Sequence, residues 1–292
     1  MCAGERSRLK WPPNPLHAMI KQIVLSVCMH RGKLVQNIHR EDLLVLLRRG
    51  FGGSQLSSPS KTPRRIGLGA VANALSASFV CAFPPFNQTS LPHDHGSNSE
   101  KRRCTYDIIA VNLLVYVADI ALKRKLTMWG AKDNDLISKG QIWRLATPVL
   151  LHGRLRHIAV SVKYNTLSLA SIGPTVEEFA GPRRFLPIYG TSAISCSLMS
   201  YWFTSTPGIG ASGAIFGLAG AYAVYIWRHQ ELLQNGKEVL ESIKTVVLLN
   251  LGIGILLRHR IDNWAHLGGF LGGAAVEWFY GPDWKRWPLF GQ

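Results

Sequence analysis

The sequence predicts an all-α polytopic membrane protein, a bundle of six transmembrane helices carried behind a basic, polar arm. Three observations lead there. Of the 292 residues, 47% are apolar and 17% charged, more of the first and fewer of the second than ordinary globular chains carry. The apolar residues gather after residue 105 into six runs, and a hydrocarbon core about 30 Å thick takes about 20 apolar helical residues per crossing. Charge is segregated as well: residues 1–90 hold twelve Lys or Arg against Glu5, Glu41 and Asp42, a net of +9 out of the chain's +16.

Residues 1–90 mix Arg, Lys and Ser with few acids, as in Ser57-Ser58-Pro59-Ser60-Lys61-Thr62-Pro63-Arg64-Arg65. Import machinery reads weakly structured basic arms of this kind, so the segment reads as an organellar transit peptide, with a plain disordered basic tail as the alternative. Inside it, Ile66 to Phe86 is a mildly apolar stretch broken by Gly67, Gly69 and Asn73, assigned to the processing end of the arm. Residues 91–105 are a linker, 106–281 the membrane domain and 282–292 a short interfacial tail. The six runs are Tyr106 to Leu122, His157 to Ile172, Phe185 to Phe203, Ile209 to Trp227, Ile243 to Leu257 and Asn263 to Tyr280. Backbone groups in lipid must be paired within the chain, so each run is expected to be a helix. Residues 123–156 form a long first loop of mixed polarity. Orientation stays open, because ten Lys or Arg fall on each side of the six spans and the usual bias of positive charge is absent.

Several function classes drop out. Basic charge admits nucleic acid, yet no zinc-ligand spacing, aromatic RNA-stacking string or basic recognition helix accompanies it, so nucleic acid is not an expected partner. Cys2, Cys28, Cys81, Cys104 and Cys196 are odd in number and form no CxxC pair, which gives neither a disulfide framework nor a metal cluster. No glycine-rich phosphate loop follows a strand and no His-Glu-x-x-His occurs, so no metal, nucleotide or organic cofactor is expected. A transporter would carry inverted repeats and helices broken at mid-membrane, and no internal repeat stands out.

Two strings can carry chemistry. The fourth span opens Gly210-Ala211-Ser212-Gly213-Ala214-Ile215-Phe216-Gly217, and the sixth holds Ala265-His266-Leu267-Gly268-Gly269-Phe270-Leu271-Gly272-Gly273. A serine among small residues is usually a packing position, and a histidine at this depth needs a partner, which a backbone carbonyl could supply. Small residues recur every four positions in both helices, at Gly213 and Gly217 and at Ala265, Gly269 and Gly273. Two such faces pack with backbones close together, which would bring Ser212 and His266 to hydrogen-bond distance as nucleophile and base. Phe216, one turn beyond Ser212, could stack on the imidazole.

Taken in order, these elements resemble the rhomboid family of intramembrane serine proteases over roughly residues 104–281. The matching elements are Trp143-Arg144 in the first loop, Leu151-His152 before the second span, Gly173-Pro174-Thr175-Val176-Glu177 at its end, the GxSG string at Ser212 and Ala-His-x-x-Gly at His266. Strings such as Trp129-Gly130-Ala131-Lys132, Gly140-Gln141-Ile142-Trp143-Arg144-Leu145-Ala146-Thr147 and Met199-Ser200-Tyr201-Trp202-Phe203 look most like the plant plastid rhomboids. The resemblance implies a six-helix rhomboid bundle with a half-immersed first loop. It implies Ser212 as nucleophile, His266 as general base and acid, and an oxyanion site built from the Ser212 amide, the His157 imidazole and an Asn of the second span. It further implies Gly210, Gly213, Phe216 and Gly269 as structural support, Arg144 and Glu177 holding the first loop by a charge-assisted hydrogen bond, and Trp129 and Trp143 in an interfacial belt. The implied substrates are single-span membrane proteins in the bilayer. The implied location is a plastid membrane, the inner envelope by preference, with the mitochondrial inner membrane as rival. A pseudoprotease of the same fold, binding membrane helices without cutting, is the second reading, although such relatives usually lack the Ser or the His.

One departure touches the oxyanion site. The family pattern sets Asn four residues after the histidine of the second span; here that position is Ser161, and Asn165 comes eight residues on. Eight helical residues rise about 12 Å against about 6 Å for four. Removing Ser161-Val162-Lys163-Tyr164 restores the pattern, so these four residues read as an insertion from an alternative splice or a mis-set exon boundary, which displaces Asn165 and puts Lys163 inside the span.

Overall fold

The computed structural model describes residues 103–152, 155–233, 235–256 and 261–282, giving only the backbone for 155–163 and 256. The basic arm with its Ile66 to Phe86 stretch, residues 91–102 of the linker and the tail from 283 lie outside the described residues. The helices are α1 (Arg103–Ala121), α2 (Lys125–Gly130), α3 (Asn134–Ser138), α4 (Leu155–Ala180), α5 (Pro182–Phe203), α6 (Ser212–His229), α7 (Gly236–Leu256) and α8 (Asn263–Tyr280). Two 3₁₀ turns, Ile142–Leu145 and Thr147–Leu150, complete the first loop. Each of the six apolar runs thus becomes a helix of 18 residues or more. By length and composition alone, one helix among the described residues, α1, is long and apolar enough to cross a membrane. Helix α6 ends in Arg228 and His229, and α8 holds Asn263, His266 and Glu277, which together with their glycines dilute the hydropathy of both.

Helix α4 runs eight residues past the expected end at Ile172, straight through Pro174. Its C-terminal half is held from both sides. Leu169, Ile172 and Val176 are buried in the core. A Cβ on Gly173 would strike the Thr105 side chain, 2.5 Å from its methyl, so α1 crosses closely here.

Helix α6 is the axis of the bundle. Gly213 through Tyr222 are all buried, as expected of a helix apolar around its whole circumference. It packs on α8 backbone to backbone: a Cβ on Gly269 would run into the Gly213 carbonyl, and one on Gly273 into the Gly217 carbonyl. On its other flank, a Cβ on Gly217 would overlap Ser192 of α5. Small residues are what permit helix axes to approach this far.

The first loop is anchored by polar contacts. Lys132, 1% exposed, donates from Nζ to the carbonyls of Ser200, Thr204 and Thr206, and Asn134 Nδ2 donates to those of Tyr201 and Thr204. Together they meet carbonyls of the last turn of α5 and of the segment just beyond it, where backbone donors run short. Burial pushes the Lys132 ammonium down from its ordinary pKa, against the opposing pull of Asp262 and Asp133. Trp129 and Trp143 stack at 5.6 Å, and Trp143 Nε1 donates to the Trp129 carbonyl.

The expected Arg144–Glu177 bond is not formed. Arg144 donates to the carbonyls of Ala131 and Met128 and to Gln141 Oε1, all within the loop. Glu177 instead caps the start of α1: its two oxygens accept from the Cys104 and Thr105 amides and from Thr105 Oγ. The reason is length. Arg144 belongs to the loop before α4, and Glu177 lies 22 residues beyond Leu155, about 33 Å along the helix.

Candidate active site

Ser212 is the first residue of α6. The turn that delivers it needs Gly210, whose φ of 127° is open only to glycine without strain. That turn is pinned to the first loop by the Gly210 amide, which donates to the Pro148 carbonyl at 2.9 Å. At a helix start the amides have no intrahelical acceptor, so those of Ser212 and Gly213 lie where an anion is favoured.

His266 lies in the first turn of α8 and presents Nε2 to Ser212 Oγ at 3.1 Å. Its ring stacks on Phe216, centroids 4.2 Å apart and planes within 5°. With Nε2 accepting from the hydroxyl, the ring proton sits on Nδ1, and among the described residues nothing accepts from that nitrogen. Among the described residues no acid accepts from His266 Nδ1. The start of α8 is capped by Asp262, whose side chain accepts from the Ala265 amide and from Ser200 Oγ.

Helix α4 is α-helical throughout residues 155–180, including the four extra residues 161–164. Asn165 Nδ2 lies 3.8 Å from where a Cβ on Gly210 would stand, so its carboxamide reaches the turn before Ser212. The side chain of His157 lies outside the described residues; its backbone is eight positions back along a regular helix, about 12 Å of rise.

Among the expected site residues, Ser212, His266, Phe216, Gly210, Gly213, Gly269 and Asn165 come together, while Arg144 stays in the loop and Glu177 at the far end of α4. Three polar groups escaped sequence reasoning. Asp262 before an apolar helix is a readable N-cap signal. Buried Lys132 has none, because lysine reads as exposed. Glu277 of α8, 1% exposed, pairs with Arg184 at 3.4 Å at the opposite end of the bundle, and nothing local announces it. Among the described residues no group of three or more His, Cys, Asp or Glu could hold a metal ion.

The rhomboid domain model matches residues 139–283, which include α4 to α8 and both Ser212 and His266. The chain belongs to the rhomboid family. It is similar to rhomboid protease GluP of Bacillus subtilis, 39% identical over 58% of this chain and 33% of that protein. It is 33% identical to the chloroplastic RHOMBOID-like protein 9 of Arabidopsis thaliana over 53% of this chain and 35% of the other. RHOMBOID-like protein 5 of the same plant matches at 35% over 59% of this chain and 53% of its own length. The matched region spans about a third to a half of these relatives. Membership makes the chain a helical membrane protein.

Proposed function

We propose that this rhomboid is an intramembrane serine endopeptidase that cuts transmembrane segments of single-span client proteins with a Ser212–His266 dyad. The observation that carries the reading is the 3.1 Å contact between His266 Nε2 and Ser212 Oγ, with the imidazole held flat on Phe216. In this scheme Ser212 Oγ attacks the scissile carbonyl while His266 Nε2 takes its proton, and the same proton goes to the leaving amine as the C–N bond breaks. Water then attacks the acyl-enzyme with His266 again as base, releasing the acid and restoring Ser212. The oxyanion would be met by the Ser212 amide and the Asn165 carboxamide beside Gly210, with His157 as a further donor if α4 brings it within reach. In soluble serine proteases one such donor is worth about 3 to 4 kcal/mol.

The six helices would each span the bilayer, with the first loop half-immersed in one leaflet. Met128 and Ile142 are 73% and 69% exposed there, and the stacked Trp129 and Trp143 suit the interfacial zone. Likeness to a chloroplastic relative and the basic, acid-poor residues 1–90 support a plastid membrane, by preference the inner envelope.

The eight-residue spacing of His157 and Asn165 favours one second reading, a catalytically impaired pseudoprotease that binds membrane helices and controls their trafficking or turnover. Co-expression with a reporter bearing a helix-destabilised span decides between them. A fragment from the parent chain and none from Ser212→Ala supports the protease. No fragment from the parent, but one from a version lacking residues 161–164, supports a site disabled by the insertion.

A further inference from the structure

The start of α8 is tied to its neighbours by Asn263 Nδ2, which donates to the Leu251 carbonyl of α7 at 2.9 Å, by the Gly268 carbonyl, which accepts from Ser195 Oγ of α5 at 2.8 Å, and by the Asp262 carboxylate. Asp262 Oδ1 accepts from the Ala265 amide at 3.0 Å, and its backbone carbonyl accepts from the His266 amide at 3.2 Å. Its Oδ2 accepts from Ser200 Oγ of α5. Ser200 is 2% exposed, and its own carbonyl accepts from Lys132 Nζ at 3.2 Å. Hydrogen bonds therefore run unbroken from the first loop, through the end of α5, to the residue that carries the imidazole.

What this chain does follows from what the glycine contacts leave undone. Gly213, Gly217, Gly269 and Gly273 fix how far apart α6 and α8 lie, because backbone meets backbone. Small residues present a smooth face, however, with few knobs to stop one helix sliding along or turning against the other. Phe216 sets the plane of the imidazole but not the height of its Cα. Arg228 of α6 donates to the Glu277 and Trp278 carbonyls and holds the far end of α8; proton transfer needs Nε2 within about 3 Å of Oγ, so the near end, three turns away, must be held as well. Asp262 is four residues before His266, one turn away, and is tied to a different helix.

We propose that Asp262 is a positioning residue for proton transfer, pinning the first turn of α8 to Ser200 so that His266 Nε2 stays within reach of Ser212 Oγ. It touches no reacting atom and acts through His266. The inference rests on the dyad reading given above. An ordinary N-cap needs only an oxygen for the Ala265 amide, which serine supplies; the pin also needs the reach to Ser200.

Three variants separate the two roles. Asp262→Ser keeps the cap and loses the reach. Asp262→Asn keeps both, since the Ser200 hydroxyl can turn to accept from the amide. Ser200→Ala cuts the far end of the pin and leaves Asp262 in place. The expected result on the full-length protein in bilayers is kcat about tenfold lower for D262S and S200A with KM within about twofold, and D262N within about threefold of the parent. Parent-like kcat in D262S and S200A overturns the proposal, as does a D262N as slow as D262S. Labelling of Ser212 by a fluorophosphonate, in the parent and not in Ser212→Ala, is measured alongside. An unlabelled parent overturns the dyad reading and the proposal with it, whereas a labelled parent with unaffected D262S overturns the proposal alone.

Discussion

Gly269→Ala puts the α6–α8 contact to a quantitative test. The added Cβ would stand 2.6 Å from the Gly213 carbonyl carbon and 3.1 Å from its Cα, and closer still to its oxygen. Every one of these atoms is backbone in the buried first turn of α6, so no side chain can swing aside. Restoring an ordinary separation of about 3.5 Å from the carbonyl carbon alone moves α8 outward by about 0.9 Å, and the nearer oxygen demands more. His266 lies three residues earlier on the same face, so its Nε2 would withdraw from Ser212 Oγ to at least about 4 Å, beyond hydrogen-bond reach. A displacement of about 1 Å at reacting groups costs about 10²-fold in rate. Stability changes less: overpacking costs about 1 to 3 kcal/mol, and alanine returns up to about 1 kcal/mol of helix propensity. Reporter cleavage should therefore fall by about two orders of magnitude while the thermal midpoint drops by only a few degrees. Gly190→Ala is the control, because nothing lies within 4 Å of its Cβ position, and it should leave cleavage unchanged. A Gly269→Ala protein that cleaves at the parent rate would refute the contact as the device that sets the dyad distance.

Glu177→Ala leaves the Cys104 and Thr105 amides without their cap, and should cost about 1 to 2 kcal/mol in chemical denaturation, with Glu177→Gln losing less because one acceptor survives. Burial holds the His152 pKa below its ordinary 6.5, against a smaller opposing hydrogen bond at Leu150. The unfolded chain then binds the proton first, so this stability is intact above pH 6.5 and drains as pH falls toward the folded value. Between about pH 7.5 and about pH 5 the parent's thermal midpoint should fall further than that of His152→Gln; equal falls would contradict it. Removing residues 161–164 should raise cleavage at least about tenfold by bringing His157 one turn nearer Asn165, since one oxyanion donor is worth about 10² in rate. An unchanged rate at an unchanged thermal midpoint would show that His157 donates nothing.

The Ser212–His266 contact was legible because its geometry is written locally. A small residue every fourth position marks a helix face, and two such faces leave few ways for Ser212 and His266 to miss each other. The Arg144–Glu177 pairing failed for the opposite reason: it carried opposite charges across α4 without counting the helix between them. Where α4 ends was also hidden, because Pro174 reads as a stop, while burial of Val176 and the Glu177 bonds to α1 outweigh that preference. Lys132 was invisible to any rule based on residue type. Its burial is explained only by the end of α5, some 70 residues away in sequence, whose carbonyls it meets.

Both members of the Ser212–His266 pair lean on the same loop. Through the Pro148 carbonyl it fixes Gly210, and through Gly210 the entry of Ser212 into α6. Through Lys132 and Ser200 it reaches Asp262, and through Asp262 the turn that bears His266. The polar side-chain bond between the starts of α6 and α8 among the described residues is the Ser212–His266 contact itself, and the loop braces it from both sides. This accounts for so much buried hydrogen bonding in a segment that, from its exposed Met128 and Ile142, reads at first as a surface loop. It also means that changes at the Pro148 contact and at Asp262 act on one distance. Their effects on cleavage should then be less than additive, since a dyad already out of reach through one partner loses little when the other also moves.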